Sequence, residues 1–232
     1  MINRFNRTEM VIGPENLNIL KNKKIIVFGL GGVGGSLCEA LARAGIGNIA
    51  IVDKDIVDIT NINRQIIATE KTIGMRKTKA CYDRLKAINP DINIEIYDVC
   101  VDKNTINDFD FKEYDYCADA IDTVTSKILI AEECKKVNTP IIMSMGMGNK
   151  LDPTKIEISD IKKTSVCHLA RVLRKEFKKR NINDITVAYS KEEARKPFFN
   201  LESERIPGSV SFVPPVCGMI MAGYIVRQLI KL

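Results

Sequence analysis

Paired cysteines are missing from this chain. Its seven cysteines, Cys38, Cys81, Cys100, Cys117, Cys134, Cys167 and Cys217, stand singly, with no Cys-x-x-Cys spacing anywhere. An odd set without pairs argues against a disulfide framework and predicts a reduced, cytoplasmic setting. Imidazole is equally scarce. His168, beside Cys167, is the one histidine, whereas structural zinc takes about four nitrogen or sulfur ligands, usually in close pairs. No zinc is expected. The first seven residues are polar and carry no secretory apolar run, so export is not expected either. Val216 to Val226 is uncharged and largely apolar, but a span needs about 20 such residues. Arg227 and Lys231 follow closely, so the stretch predicts a buried or interface helix and no stable membrane span.

What is present is ordinary in amount and uneven in placement. The 45% hydrophobic and 28% charged fractions of the 232 residues suit a soluble globular chain, and the length suits one good-sized core, read here as one domain. The net charge of +6 is segregated. Eight basic residues (Lys162, Lys163, Arg171, Arg174, Lys175, Lys178, Lys179, Arg180) face one acid, Glu176, between 162 and 180, while 91–122 holds ten acids and two lysines. Such asymmetry suggests one face built for phosphate, although a charged helix face is more often simply solvated.

Along the first half, short apolar runs alternate with helical patterns, the signature of βαβ units. Strands are predicted at 24–28, 48–53, 92–97, 114–121 and 140–145, and helices at 36–44, 75–88 and 125–137. After Gly146 the pattern turns mixed: a strand at 155–159, a helix over 165–179, strands near 185–189 and 209–213, and a final helix. The expected fold is α/β and Rossmann-like, a mostly parallel central sheet with helices on both faces and a mixed C-terminal extension. Within a single domain over 1–232, residues 1–148 form the nucleotide-binding part and 149–232 the substrate, RNA and dimer part.

Gly29-Leu30-Gly31-Gly32-Val33-Gly34 follows a predicted strand and opens a predicted helix. Glycines permit a tight turn and close backbone approach, and a helix N-terminus offers unpaired N–H groups to phosphate. Asp53 ends the next strand, placed to accept hydrogen bonds from a ribose. A glycine turn serving only helix packing would leave Asp53 without a purpose. Thr60-Asn61-Ile62-Asn63-Arg64-Gln65 and Gly74-Met75-Arg76-Lys77 come next, and a hydride-transfer enzyme has no need of them. Arg64 and Lys77 supply positive charge for a departing pyrophosphate, Asn61 and Gln65 can hold oxygens, and Asp122, after a buried strand, can hold Mg²⁺. Taken singly each is an ordinary turn former or surface charge, and Asn61 and Asn63 especially suit a turn.

In that order, over Arg4 to about Gly148, these motifs resemble the ubiquitin-activating-type (ThiF-like) adenylyltransferases, which include the activators of molybdopterin-synthase and thiamine sulfur carriers. The resemblance implies ATP and Mg²⁺, with Gly29, Gly31, Gly32, Gly34, Asp53, Asn61, Asn63 and Gln65 at the nucleotide. Arg7, Arg64, Lys77 and Asp122 are the implied catalytic residues, Asp122 also being the metal ligand. Arg4-Phe5-Asn6-Arg7 resembles an arm through which an arginine, here Arg7, reaches a neighbouring subunit's ATP, so a homodimer is implied.

The second half lacks the paired cysteines of carrier-protein activators. Lys163-Thr164-Ser165-Val166-Cys167-His168-Leu169-Ala170-Arg171, Tyr189-Ser190-Lys191-Glu192-Glu193 and Gly208-Ser209-Val210-Ser211-Phe212-Val213-Pro214 instead resemble the branch that dehydrates threonylcarbamoyladenosine in tRNA. That resemblance implies adenylation of the threonyl carboxylate, then intramolecular ring closure with release of AMP. The basic helix at 165–180 is the candidate tRNA contact, and a sulfur-transfer protein of the cysteine desulfurase type is a candidate partner. Cys167, His168 and Cys217 are read as structural, since buried thiols are usually inert. Three alternatives stand beside this: activation of a ubiquitin-like sulfur carrier's C-terminus, an NAD-dependent oxidoreductase, and a non-catalytic nucleotide-binding protein.

Overall fold

The structure, a computed structural model, describes residues 2–199 and 207–232. Two short helices, α1 (Asn6–Ile12) and α2 (Pro14–Lys21), precede β1 (Lys24–Phe28), α3 (Gly32–Ala44) and β2 (Asn48–Val52). Then come α4 (Lys77–Ile88), β3 (Asn93–Tyr97), β4 (Tyr116–Asp119), α5 (Val124–Val137) and β5 (Ile141–Ser144). The last part holds β6 (Ile156–Asp160), α6 (His168–Lys179), β7 (Thr186–Ser190) and α7 (Val213–Ile230).

The strands form one seven-stranded sheet ordered β3-β2-β1-β4-β5-β7-β6. Every pairing is parallel except β6 with β7, which gives the expected mixed extension at the C-terminal edge. Because β1 is covered on both faces, its sequence Lys-Ile-Ile-Val-Phe does not alternate. Ile25 and Val27 join the core beneath α3, α4 and α7, while Ile26 and Phe28 pack with α5 residues Ile130 and Cys134 on the other face. A second apolar cluster on that side joins α5, α6 and β7 through Ala131, Leu173, Phe177 and Val187.

Several sequence expectations need correction. The strand expected at 209–213 does not form: the chain turns at Ser211-Phe212 and Val213 opens α7. Pro214 and Pro215 occupy the first turn of that helix, where a missing N–H costs nothing. The helix expected from Ser36 begins at Gly32, so the glycine motif lies inside its first turn. The helix expected from Ser165 begins at His168 with Cys167 as its N-cap, and the one expected from Met75 begins at Lys77. Residues 4–7, read as an arm, lead into and begin α1; Phe5 is its buried N-cap.

By length and hydropathy α7 could cross a membrane, but Cys217, Gly218, Met221, Ala222 and Ile225 are buried in the core that includes α3. Contact there is close: a Cβ on Gly218 would lie 2.3 Å from the Val33 carbonyl oxygen.

Candidate active site at the glycine turn

Strand order reverses between β1 and β4, which leave the sheet toward opposite edges. In open α/β sheets ligands bind at such a point, beyond the C-terminal ends of the strands. A crevice of about 510 Å³ lies there.

The glycine turn forms its inner wall. Gly29 has φ +85°, and a Cβ on it would sit 2.9 Å from the Ala120 backbone. A Cβ on Gly34 would lie 1.7 Å from the Gly29 carbonyl oxygen, so Gly34 serves the closure of the turn and does not line the crevice. Gly31 differs: the nearest atom to a Cβ there is Gln65 Nε2 at 3.9 Å. Gly31 is the N-cap of α3 and no side chain caps that helix, so its first-turn amides face the crevice at the positive end of the helix dipole.

Asp53 braces this wall. It accepts from Leu30 N at 2.6 Å and from Asp55 N at 2.8 Å. Burial raises its pKa, and the Lys77 charge and the two backbone donors oppose that rise. Lys77 is buried and pairs with Asp55 at 2.8 Å, a partner that sequence reasoning had not assigned to it.

The segment before α4 supplies the opposite wall. Asn61 is buried and closes a capping box with Asp58, which fixes the turn that carries Arg64 and Gln65. Arg64 lines the crevice, with Nη1 2.8 Å from both the Thr60 carbonyl and Asn63 Oδ1; desolvation lowers its pKa. Gln65 is buried and its Oε1 receives no hydrogen bond, the condition of an acceptor awaiting a donor such as a ribose hydroxyl. Asn63 does not line the crevice. It is exposed, and its Nδ2 donates 2.9 Å to the Ser209 carbonyl, tying this turn to the approach to α7.

Asp122 follows β4 and lines the crevice with an exposed carboxylate. Hard oxygen donors of this kind suit Mg²⁺, so the residue fits the metal implied for it. The crevice thus gathers Gly29, Gly31, Gly32, Asp53, Asn61, Arg64, Gln65, Lys77 and Asp122. Arg7 is exposed on α1 and is not among the lining residues of its own chain.

Two features escaped sequence reasoning. One is a fully buried ion pair: Lys127 Nζ lies 2.9 Å from Asp119 Oδ2 and 2.8 Å from the Ser144 carbonyl. Asp119 Oδ1 also accepts from Ile121 N at 3.0 Å, shaping the turn that delivers Asp122. A lysine set among Ile128, Leu129 and Ile130, eight residues after an aspartate that ends a strand, was the available signal. The other is that the second half supplies crevice wall: Leu169, Gly208, Ser209 and Pro214 all line it. Cys217 is buried, and burial pushes its thiol up to about 12, which fits an inert structural role. Cys167 is buried and His168 exposed.

A parallel sheet with a glycine turn, paired cations and a carboxylate at its switch point defines a nucleotide-binding α/β protein, and the matching family model narrows the class. Residues 5–232 match the ThiF family, and the chain belongs to it. Over 100% of its length and 96% of the relative's, it is 40% identical to the tRNA threonylcarbamoyladenosine dehydratase of Bacillus subtilis strain 168. It is 38% identical to the enzyme of the same name from Haemophilus influenzae, over 75% of this chain and 68% of that one. The crystal structure of E. coli tRNA N6-threonylcarbamoyladenosine dehydratase, TcdA, in complex with ATP superposes with a TM-score of 0.89 at 30% identity, covering 98% of this chain and 94% of that one.

Proposed function

We propose that this chain is a tRNA threonylcarbamoyladenosine dehydratase, which uses ATP to cyclise the threonylcarbamoyl group of an adenosine in tRNA with loss of water. One observation carries the reading. A crevice holding the glycine turn, Arg64, Lys77 and Asp122 sits in a chain that matches the Bacillus dehydratase nearly end to end.

ATP is a co-substrate. Its phosphates fit the wall at Gly31, where backbone can approach without obstruction, and its ribose fits Asp53 and Gln65. The threonyl carboxylate oxygen attacks the α-phosphorus, and the bond to the pyrophosphate oxygen breaks. Arg64 and Lys77 stabilise the charge gathering on the departing pyrophosphate. Asp122 would hold Mg²⁺, which when bound neutralises phosphate charge. The carbamoyl group then attacks the activated carbonyl carbon, and AMP leaves with a carboxylate oxygen. Nucleophile and electrophile belong to one substrate, so proximity replaces an enzyme nucleophile, in keeping with the buried Cys217.

RNA is held at α6, whose first turn reaches the crevice through Leu169. The ion pairs refine which cations contribute. Lys162 pairs with Asp184, while Lys179 and Arg180 pair with Glu176. Arg174 donates 2.9 Å to the Thr164 carbonyl. Among the described residues, Arg171, Lys175 and Lys178 are exposed on α6 and make no ion pair. A homodimer in which Arg7 completes the neighbouring site, a single domain over 1–232, a cytoplasmic setting and a sulfur-transfer partner belong to the same reading. Activation of a sulfur carrier is the second reading, since ATP chemistry at the crevice is common to both.

Incubation with ATP, Mg²⁺ and tRNA bearing threonylcarbamoyladenosine, followed by nucleoside mass spectrometry, tests the proposal. Loss of one water is expected. No mass change, with adenylation of a carrier's C-terminal peptide instead, overturns the tRNA reading.

A further inference from the structure

Between β7 and α7, Arg195 and Gly208, which stand on either side of residues 200–206 in the sequence, are fastened to one residue. Asn149, at φ +57°, accepts at its carbonyl from Arg195 N at 2.8 Å. Its Oδ1 accepts from Gly208 N at 2.7 Å, and its N donates to the Gly208 carbonyl at 2.7 Å. The stretch before Arg195 is held further by buried Glu192, whose carboxylate accepts from Leu151 N at 3.0 Å and Asp152 N at 2.8 Å. Gly148 and Gly208, on either side of this knot, both line the crevice.

Just beyond the first fastening stand two phenylalanines with no role in the core. Phe198 is 105% exposed and Phe199 76% exposed, whereas the fold's other phenylalanines are buried (Phe5, Phe28, Phe109, Phe111, Phe177) or less than half exposed (Phe212, 44%). Adjacent bare aromatic rings forgo the burial that normally justifies them. Cations precede them: Lys196 is exposed, and Arg195, 3.6 Å from Glu192, keeps 66% of its side chain in solvent. Aromatic rings beside positive charge, three and four residues past a backbone bond to the neighbour of crevice-lining Gly148, suit unpaired nucleobases on a phosphate backbone, because every base presents a π-face to stack.

We propose that Phe198 and Phe199 are a stacking platform for unpaired nucleobases flanking the substrate adenosine, with Arg195 and Lys196 holding the adjoining phosphates. This rests on the reading of the chain as a tRNA dehydratase. The Asn149 knot ties Arg195, three residues before Phe198, to the chain beside crevice-lining Gly148, so a base stacked on the rings directs the neighbouring adenosine's threonylcarbamoyl group toward the crevice. α6 then contributes charge, and the aromatic pair contributes discrimination between single-stranded and paired RNA.

The test measures affinity for a stem-loop containing threonylcarbamoyladenosine and for a duplex of equal charge, with ATP binding followed in parallel. Phe198→Ala/Phe199→Ala should weaken stem-loop binding about tenfold or more, leave duplex binding and ATP affinity unchanged, and be restored by Trp at both positions but not by Leu. Unchanged stem-loop affinity in a wild-type-active preparation overturns the platform and leaves the dehydratase reading intact. Equal loss on stem-loop and duplex, or full restoration by Leu, overturns stacking. A change in oligomeric state without a change in RNA affinity assigns the rings to a protein interface and overturns the proposal. If the wild-type protein neither binds the stem-loop nor dehydrates the nucleoside, the underlying reading fails first.

Discussion

Replacing Lys127 by methionine is expected to damage stability far more than any change at the surface. Lys127 and Asp119 are both fully buried at 2.9 Å, a separation worth about 6 kcal/mol of gross attraction at an effective dielectric of about 20. Desolvation of both charges consumes much of that, so the intact pair contributes little net. Its rupture is another matter, because Lys127→Met strands a fully buried carboxylate near Cys117 and β5. Breaking a buried pair from one side costs about 3–5 kcal/mol, or a Tm lower by roughly 6–20 °C for a chain of this size. Asp119→Asn/Lys127→Met keeps an acceptor for Ile121 N and should recover most of the loss.

The pH dependence has a definite sign. Burial raises the Asp119 pKa, with Lys127 and the Ile121 amide opposing the rise; without Lys127 the rise is larger. A carboxyl whose folded pKa exceeds its unfolded value is penalised above the folded pKa and relieved as pH falls through it. The gap between Lys127→Met and wild type should therefore narrow on acidification from pH 8 toward 5. Chemical denaturation of the three proteins at several pH values is the measurement. A single-variant loss below about 1 kcal/mol, a pH-independent gap, or a double variant no better than the single would refute the reasoning.

Other outcomes follow from the site. Arg64→Ala or Asp122→Ala should lower turnover by about 10²–10³ with Tm nearly unchanged, as read by nucleoside mass spectrometry and thermal melts; near-normal turnover in either removes it from the chemistry. Gly31→Ala should fold normally, because nothing lies within 3.9 Å of the added carbon, yet bind ATP weakly by calorimetry. Gly34→Ala should fail to fold well, because its Cβ would overlap the Gly29 carbonyl at 1.7 Å; equal behaviour of the two would contradict the division of labour in the turn. Charge reversal at Arg171, Lys175 and Lys178 should lower tRNA affinity and reduce its salt slope by roughly one per lost phosphate contact. The same change at Lys179, already paired with Glu176, should do less.

The nucleotide half of the fold was legible because its strands are uninterrupted apolar runs. β1 was read to the residue, and β2 to β5 differ only at their ends. The start of α3 was misplaced because Gly32, Gly34 and Gly35 are poor helix formers on propensity alone; close packing outweighs it, Gly34 against Gly29 and Ala120, Gly32 against Pro214 and Arg64, and Gly35 against Ile66 and Leu30. Near the C-terminus Val210, Phe212 and Val213 suggested a strand, while Pro214-Pro215 carried the truer signal of a helix beginning. Most of the candidate site was visible as an order of residue types. The pairing of Asp55 with Lys77 and the Asn63 tether to Ser209 join segments distant in sequence, and no local pattern announces them.

The close seating of Gly218 on Val33 links two segments far apart in the sequence, in time as well as in space. Translation delivers the phosphate-binding turn long before the helix that backs it, and Pro214 is the neighbour nearest to a Cβ on Gly32, at 2.9 Å. A nascent chain therefore exposes the apolar flank of α3 until α7 has been made, an interval in which such surfaces are prone to aggregate. A competent triphosphate pocket is acquired only once α7 is in place, and premature termination anywhere before α7 yields a product with the motif but without the pocket.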